Sequence, residues 1–208
     1  MAGLGIGPPD FALFEIGDPD ERAAALEVTL HPKVLTIANT CLPGVTRVAG
    51  KPLFPHPAKL QRRRGLAPEE LLVAFCESPK GYRGLPFLGV ALTRGHLHAR
   101  VGVRGESPRR AAMRRCLERE AENLARKGRP FRRLRQFSGW NFEDLPELAP
   151  AHSPAFWAEL GEDLAPGRTG LNLGIAWTRD EARSVALGDL LGVFRDLAPL
   201  YKVLVNAR

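Results

Sequence analysis

Along residues 96–104, Leu97, Ala99, Val101 and Val103 alternate with His96, His98, Arg100, Gly102 and Arg104. Alternation at a period of two is the pattern of a strand with one buried face. The apolar run 87–93 precedes it, and only Arg94-Gly95 stands between them, which predicts an antiparallel hairpin. Arg-Gly is an unusual two-residue turn, since the first position favours positive φ, and a four-residue loop also fits. With the two-residue loop, Thr93 opposes His96, Ala91 opposes His98 and Gly89 opposes Arg100. Small residues then face large basic ones. This leaves room above the sheet, floored by Gly89 and Ala91 and walled by His96, His98 and Arg100.

Two more apolar runs, 71–76 and 171–177, read as strands. Residues 131–137 carry arginines on both faces if extended, which suits an edge strand or an arm lying on a polyanion. Helical punctuation frames these strands. Asp18-Pro19 is an N-cap followed by proline at the first helical position, predicting a helix to about Thr29. His31-Pro32 should break it and start another to about Cys41, ended by Pro43-Gly44. Asp10 is read as the cap of a short turn. Residues 54–64 read as a turn and a short helix, with Lys59, Arg62 and Arg63 at i, i+3, i+4 on one face. Ser107-Pro108 opens the clearest helix, to about Lys127, with Met113, Cys116, Leu117, Ala121 and Leu124 as its apolar stripe. Arg114–Glu118 and Glu122–Arg126 are spaced as i, i+4 pairs on it. Residues 138–153 look irregular, anchored by Trp140 and Phe142. A short helix over 154–164 follows, then a terminal helix from about Arg183, which Pro199 should kink or interrupt. Strands and helices in this order predict one α+β domain built on an antiparallel sheet.

Composition adds bounds. The 208 residues suffice for one domain with a substantial core. No apolar run reaches the length of a membrane span. The N-terminus lacks the pattern of a signal peptide. Cys41, Cys76 and Cys116 show no Cys-x-x-Cys spacing, so a reduced, cytoplasmic setting with buried thiols is expected. The formal charge of +7 is unevenly spread. Residues 94–135 hold 14 cations and 4 anions, whereas residues 136–208 hold 6 and 10. Such asymmetry points to an anionic partner for the middle segment, or to mutual neutralisation between the two parts.

Candidate chemistry centres on residues 51–104. The loop 78–84, Ser-Pro-Lys-Gly-Tyr-Arg-Gly, has two glycines that can present main-chain N–H groups between Lys80 and Arg83, an arrangement suited to an anion. Tyr82 offers a flat face. The loop lacks the GxxxxGK[ST] pattern of a Walker loop, and Gly3, Gly5 and Gly7 follow no strand, so neither nucleotide fingerprint is present. Because the loop feeds the first hairpin strand, Arg100 and Arg104 on the returning strand should converge with Lys80 and Arg83. His96 and His98 should lie farther along the groove, and His56, Lys59 and Arg62 near its rim. An alternative is that the acidic C-terminal third covers this face and pairs with these arginines. Two histidines at i, i+2 fall short of a zinc ligand set, so no metal or other cofactor is expected. Cys76 sits in an apolar strand with no base assigned to it.

An ordered series of short motifs carries a resemblance: Phe54-Pro55-His56, Ala58-Lys59, Arg62-Arg63, Val73-Ala74-Phe75, Lys80-Gly81-Tyr82, Leu85-Pro86, His96-Leu97 and, near the end, Leu197-Ala198-Pro199-Leu200-Tyr201-Lys202. In these residues the chain resembles the YktB-like family of uncharacterised bacterial proteins. The resemblance implies a compact α+β domain with an antiparallel sheet, similar in fold to the catalytic domains of biotin protein ligases and class II synthetases, and implies no assigned activity. Two positions depart from the family pattern, Phe87 where histidine is usual and His98 where the position is apolar.

Two functions fit these features. One is binding of a phosphate-bearing ligand, RNA or a nucleotide, by His56, Lys59, Arg62, Lys80, Tyr82, Arg83, His96, His98, Arg100 and Arg104. The other is acyl or phosphoryl transfer, with His56 or His96 as general acid/base and Lys80 and Arg83 stabilising charge. No base oriented by a third group can be assembled from the sequence, which places binding first. A purely structural role and the oligomeric state stay open, and no membrane partner is expected.

Overall fold

Phe54–Pro57 (β1), Glu70–Cys76 (β2), Phe87–Thr93 (β3), His96–Arg104 (β4), Arg135–Gln136 (β5) and Gly170–Thr178 (β6) form one sheet in the order β1-β2-β3-β4-β6-β5. Every neighbouring pair is antiparallel. The computed structural model describes residues 3–57, 68–137 and 145–207. The expected anchors Trp140 and Phe142 therefore lie outside the described residues.

The hairpin has the two-residue loop. Gly89 faces Arg100 and Ala91 faces His98, and the same register sets Thr93 opposite His96. The Thr93 hydroxyl spans the turn, accepting from the His96 main-chain N–H and donating to its carbonyl, each at 3.3 Å. β1 was not expected as a strand. Its sequence, Phe-Pro-His-Pro, is tolerated because β1 is the sheet edge, where a proline forfeits no ladder bond on the solvent side. The expected strand over 131–137 shrinks to β5, because Arg129–Phe131 forms a 3-10 turn that buries Phe131.

One sheet face carries the main core. Leu71, Val73, Phe75, Val90, Val101, Leu173 and their neighbours pack against the helices, with Phe75 meeting Phe194 edge-on at 6.3 Å. Those helices are Pro8–Ala12 (α1), Pro19–Ala25 (α2), His31–Ala49 (α3), Arg110–Ala125 (α4), Pro154–Glu159 (α5), Arg179–Ala182 (α6) and Leu187–Val205 (α7). One cluster of buried apolar residues runs from Ile6 to Ala207, so sheet and helices share a single core. None of these helices is long and apolar enough to cross a membrane.

Asp18 caps α2 as expected, accepting from Asp20 and Glu21 main-chain N–H groups at 2.9 and 2.8 Å. Asp10 sits inside the first turn of α1, accepts from the Gly7 N–H at 2.9 Å and pairs with Lys33 at 2.7 Å. The break at His31-Pro32 does not occur. A π-turn at Leu26–Leu30 leads straight into α3, and Pro32 falls in the first turn, where its missing N–H is harmless. Nor does Pro43-Gly44 end α3, which runs on to Ala49 and stops at Gly50 with φ 76°. Gly44 serves packing instead: a Cβ there would lie 2.5 Å from Leu191 Cδ2 on α7. Pro199 likewise sits within α7 without interrupting it, flanked by the buried residues Ala198, Leu200 and Tyr201. The α4 stripe is buried as its spacing predicts, and Arg114 meets Glu118 at 3.1 Å. Arg126 turns away from the Glu122 carboxylate, donating to the Glu122 carbonyl and to Asn123.

Candidate functional site

The second sheet face holds the candidate residues. Glu70, Thr93, His96, His98, Arg100, Arg104 and Asn172 share it, with Gly89, Gly102 and Gly174 between them. Sequence alone suggests an open space above the glycines. The structure fills it from within. A Cβ on Gly102 would lie 2.3 Å from the Phe87 ring, and one on Gly89 would lie 2.9 Å from Leu72. Phe87, Leu72, Ala74, Cys76 and Ala91 form a small second core there, bordered by Tyr82 and Leu85.

The middle of this face is closed. Arg100 and His98 have no exposed surface, and His96 and Asn172 are buried. Arg100 faces a carboxylate two strands away. Its guanidinium reaches along β4 toward the hairpin turn and meets Glu70 at 2.6 Å. Glu70 stands opposite Thr93 on β3, so Arg100 bridges from mid-sheet to that end. Burial lowers the pKa of Arg100, and the Glu70 carboxylate opposes that shift. One partner of Arg100 thus comes from β2. His98 packs edge-on against Phe137 at 4.8 Å and against His96 at 5.7 Å, with Nε2 3.3 Å from the Thr93 hydroxyl. Burial holds its pKa well below the usual histidine value, reinforced by Arg100 and His96. Burial beside a cation favours the neutral imidazole.

The other end of the sheet differs. Here β1, the loop 77–86 and the last residue of β4 meet. The Arg104 guanidinium donates to the Tyr82 hydroxyl at 3.3 Å and lies 5.7 Å from the centre of its ring. Tyr82 packs edge-on against Phe87 at 4.9 Å, and the His56 ring stands 6.2 Å away. His56 Nε2 is 2.8 Å from the Ser78 carbonyl. A carbonyl only accepts, so Nε2 carries the hydrogen. The Cys76 thiol donates to the same carbonyl and to that of Gly81, each at 3.4 Å. Burial raises the Cys76 pKa, which keeps it a thiol and unsuited to nucleophilic attack.

The loop is fastened at several points. Ser78 Oγ accepts from the Lys80 N–H at 3.1 Å, Leu85 N–H donates to the Tyr82 carbonyl, and Ser107, at the start of the α4 segment, donates to the Gly84 carbonyl at 2.8 Å. Gly81 adopts φ 139°, a value that side-chain-bearing residues rarely take. The side chains of Lys80 and Arg83 are exposed, while His56, Tyr82 and Arg104 are half-buried. The structure thus brings His56, Lys80, Tyr82, Arg83 and Arg104 to one end and buries His96, His98 and Arg100 in the middle of the face, where Arg104 and Tyr82 still act electrostatically on Arg100. Lys59 and Arg62 lie outside the described residues.

Glu70 is the residue that sequence reading missed. Its position at the head of an apolar strand, one register step from the hairpin turn, is the signal for it. Among the described residues, no group of three or more His, Cys, Asp or Glu side chains could hold a metal ion.

A family model described as "Domain of unknown function (DUF1054)" matches residues 8–162. That is most of the chain, and the chain belongs to this family. Its relatives include a UPF0637 protein of Bacillus velezensis, 31% identical over 117 residues that make up 56% of each chain. A UPF0637 protein of Bacillus licheniformis is 31% identical over 52% of this chain and 51% of its own. One from Staphylococcus aureus strain N315 is 29% identical over 54% and 55%. The chain spans about half the length of these relatives. Their names assign no activity.

Proposed function

We propose that the protein binds a phosphate-bearing ligand, a nucleotide or a nucleotide unit of RNA, at the loop end of the sheet. The observation that carries this reading is the Arg104–Tyr82 contact, which joins the basic end of β4 to the cationic loop. Lys80 and Arg83 supply exposed charge, and the Gly81 region supplies main-chain N–H groups. Arg104 supplies a guanidinium whose planar fork matches phosphate geometry. Tyr82 and His56 supply flat rings beside it. His96, His98 and Arg100 act beneath this cluster as the packed support of β4. Lys59 and Arg62 belong to the same reading through their place in the sequence next to β1. A likeness to biotin protein ligases or class II synthetases adds no residue to the cluster.

Acyl or phosphoryl transfer finds less support. His56 points its hydrogen-bearing Nε2 at a carbonyl, His96 is buried, and Cys76 is held as a thiol. Calorimetric titration with ATP and with a short single-stranded RNA tests the binding reading. The wild type should bind at least one of the two, and Lys80→Ala with Arg83→Ala should weaken that binding tenfold or more with the fold retained. Binding of neither ligand, or unchanged affinity in the double variant, contradicts it. Preference for ATP or for RNA tells the free nucleotide from the nucleic-acid unit.

A further inference from the structure

Most of the arginines packed around the sheet and helices have a definite partner. Arg94 and Arg179 meet Glu15, Arg114 meets Glu118 and Glu162, and Arg119 meets Glu120. Arg109, Arg110 and Arg135 donate to main-chain carbonyls. The stretch 126–133 departs from this habit. It contains Arg126, Lys127, Arg129, Arg132 and Arg133 and no acid. All five are exposed. Among the described residues, none of them has a carboxylate within ion-pair distance. Arg126 is steadied only by neutral groups, Asn123 at 2.7 Å and the Glu122 carbonyl at 3.3 Å. The acids that feel these cations do so at longer range: Asp196 near Arg129 and Glu181 near Arg133.

Helix ending explains part of this. Arg126 and Lys127 follow the C-terminus of α4, where the helix dipole favours cations. It does not explain the rest. Past Gly128, whose φ is 58°, the 3-10 turn sends Phe131 inward against Trp157 at 5.0 Å and buries Leu134. Arg129, Arg132 and Arg133 stand exposed around these two buried side chains and make a basic corner of the chain. Clustered like charge opposes itself, so this corner gains most from a counter-charge supplied from outside. Beside it a groove of about 510 Å³ runs between α4 and α7, floored by Leu124, Pro199 and Val203 and edged by Arg126, Lys127 and Lys202. Glu120, also in its wall, is already bound to Arg119 and Asn123.

We propose that Arg126, Lys127, Arg129, Arg132 and Arg133, with Lys202 across the groove, form a docking surface for the sugar–phosphate backbone of a nucleic acid. Nucleic acid fits better than a lipid surface on two grounds. Membrane attachment by a basic element is strengthened by apolar side chains that insert, and among the described residues the large exposed ones, Val28, Leu35, Phe54, Leu145 and Leu148, all lie outside this stretch. A groove also suits a rod of regularly spaced phosphates better than a plane. Contacts of this kind position a backbone without reading its sequence. The surface belongs to the helical layer, whereas the Tyr82 cluster belongs to the opposite sheet face, so the two stand or fall separately.

The test is salt-dependent binding of labelled duplex DNA and single-stranded RNA, followed by fluorescence anisotropy. Wild-type affinity should fall linearly on a log–log plot against salt, with about 0.9 in slope for each duplex phosphate neutralised. Arg129→Ala with Arg132→Ala and Arg133→Ala should weaken binding at low salt at least tenfold and cut the slope by about two to three. The corresponding triple Lys variant, which keeps the charges, should retain the slope. Arg47→Ala with Arg183→Ala, exposed cations outside both clusters, should leave it unchanged. Four results overturn the proposal: no binding at about 50 mM salt, a triple Ala variant that binds like wild type, a slope cut as much by the Arg47 and Arg183 control pair as by the triple variant, or binding to phosphatidylserine vesicles that depends on these arginines with none to nucleic acid.

Discussion

Arg104 and Tyr82 are 22 residues apart in sequence and 3.3 Å apart in space, guanidinium to hydroxyl. The contact closes a short circuit in the chain, from β2 through the cationic loop, along the hairpin and back to the loop. It gives the loop a fixed shape over a strand end that is itself fixed by the sheet. A loop held this way can offer preset charge, which lowers the ordering cost of binding an anion. Arg104→Ala should therefore loosen the loop as well as remove a charge. Amide hydrogen exchange over residues 78–84 should rise in this variant while exchange in β3 and β4 stays slow. Unchanged protection in the loop would show that Arg104 does not hold it.

The Arg100–Glu70 pair should behave as a buried charge that cannot be left alone. Glu70→Ala leaves the guanidinium without its carboxylate in a site with no exposed surface on Arg100. Loss of one partner of a buried pair costs about 3–5 kcal/mol. Replacing both, Arg100→Met with Glu70→Leu, should recover much of that loss, because it removes the buried charge together with its carboxylate. Denaturant unfolding of the three variants measures this, and equal destabilisation by the single and double changes would contradict it.

His98 should make stability depend on pH. Its pKa is depressed in the folded protein, first by burial and then by Arg100 and His96. The unfolded chain therefore takes up the proton first. The contribution is present above the ordinary histidine value of about 6.5 and is lost as pH falls below it. The slope from this one group cannot exceed about 1.4 kcal/mol per pH unit. Thermal melts between about pH 7.5 and pH 5 should show the loss, and His98→Leu should flatten it. A His98→Leu protein with the wild-type slope in that window would rule His98 out as the source.

Gly44 should resist any side chain. A methyl there would meet Leu191 at 2.5 Å, and overpacking of this kind costs about 1–3 kcal/mol. Leu191→Ala in the same molecule should restore part of the loss, since it removes the clashing atoms. Melting temperatures of the single and double variants decide this. A neutral Gly44→Ala would show that the Leu191 side chain swings clear and that the close approach of α3 to α7 does not require the glycine.

The elements that were legible in sequence are those in which local pattern and tertiary packing agree. The hairpin register follows from alternation in β4 and from a turn too short to slip. The α4 stripe follows from its spacing. β1 was not legible, because two prolines in four residues argue against a strand unless the strand is known to lie at an edge. Pro43-Gly44 looks like a helix end, but α3 has a packed partner in α7 that needs the glycine, and that partner lies far along the chain. The candidate site was legible in its loop and less so on its sheet face. Alternation says which face Arg100 occupies. It does not say which way so long a side chain will reach, and Glu70 decided that. The room inferred above Gly89 was real as a gap between backbones, but Phe87, from the same hairpin, fills it.

The most direct test of the loop-end site is amide chemical-shift mapping with pyrophosphate as the probe. Titration should move the N–H signals of Lys80, Gly81, Tyr82, Arg83 and Gly84 together, in a saturable way, with the Arg104 signal following. Signals of His98 and Arg100 should barely shift, since that part of the face is closed. The same titration on Lys80→Ala with Arg83→Ala should show little movement. Saturable shifts confined to the buried middle of β4, or no saturable shift in the loop at all, would contradict a phosphate site at Lys80, Arg83 and Arg104.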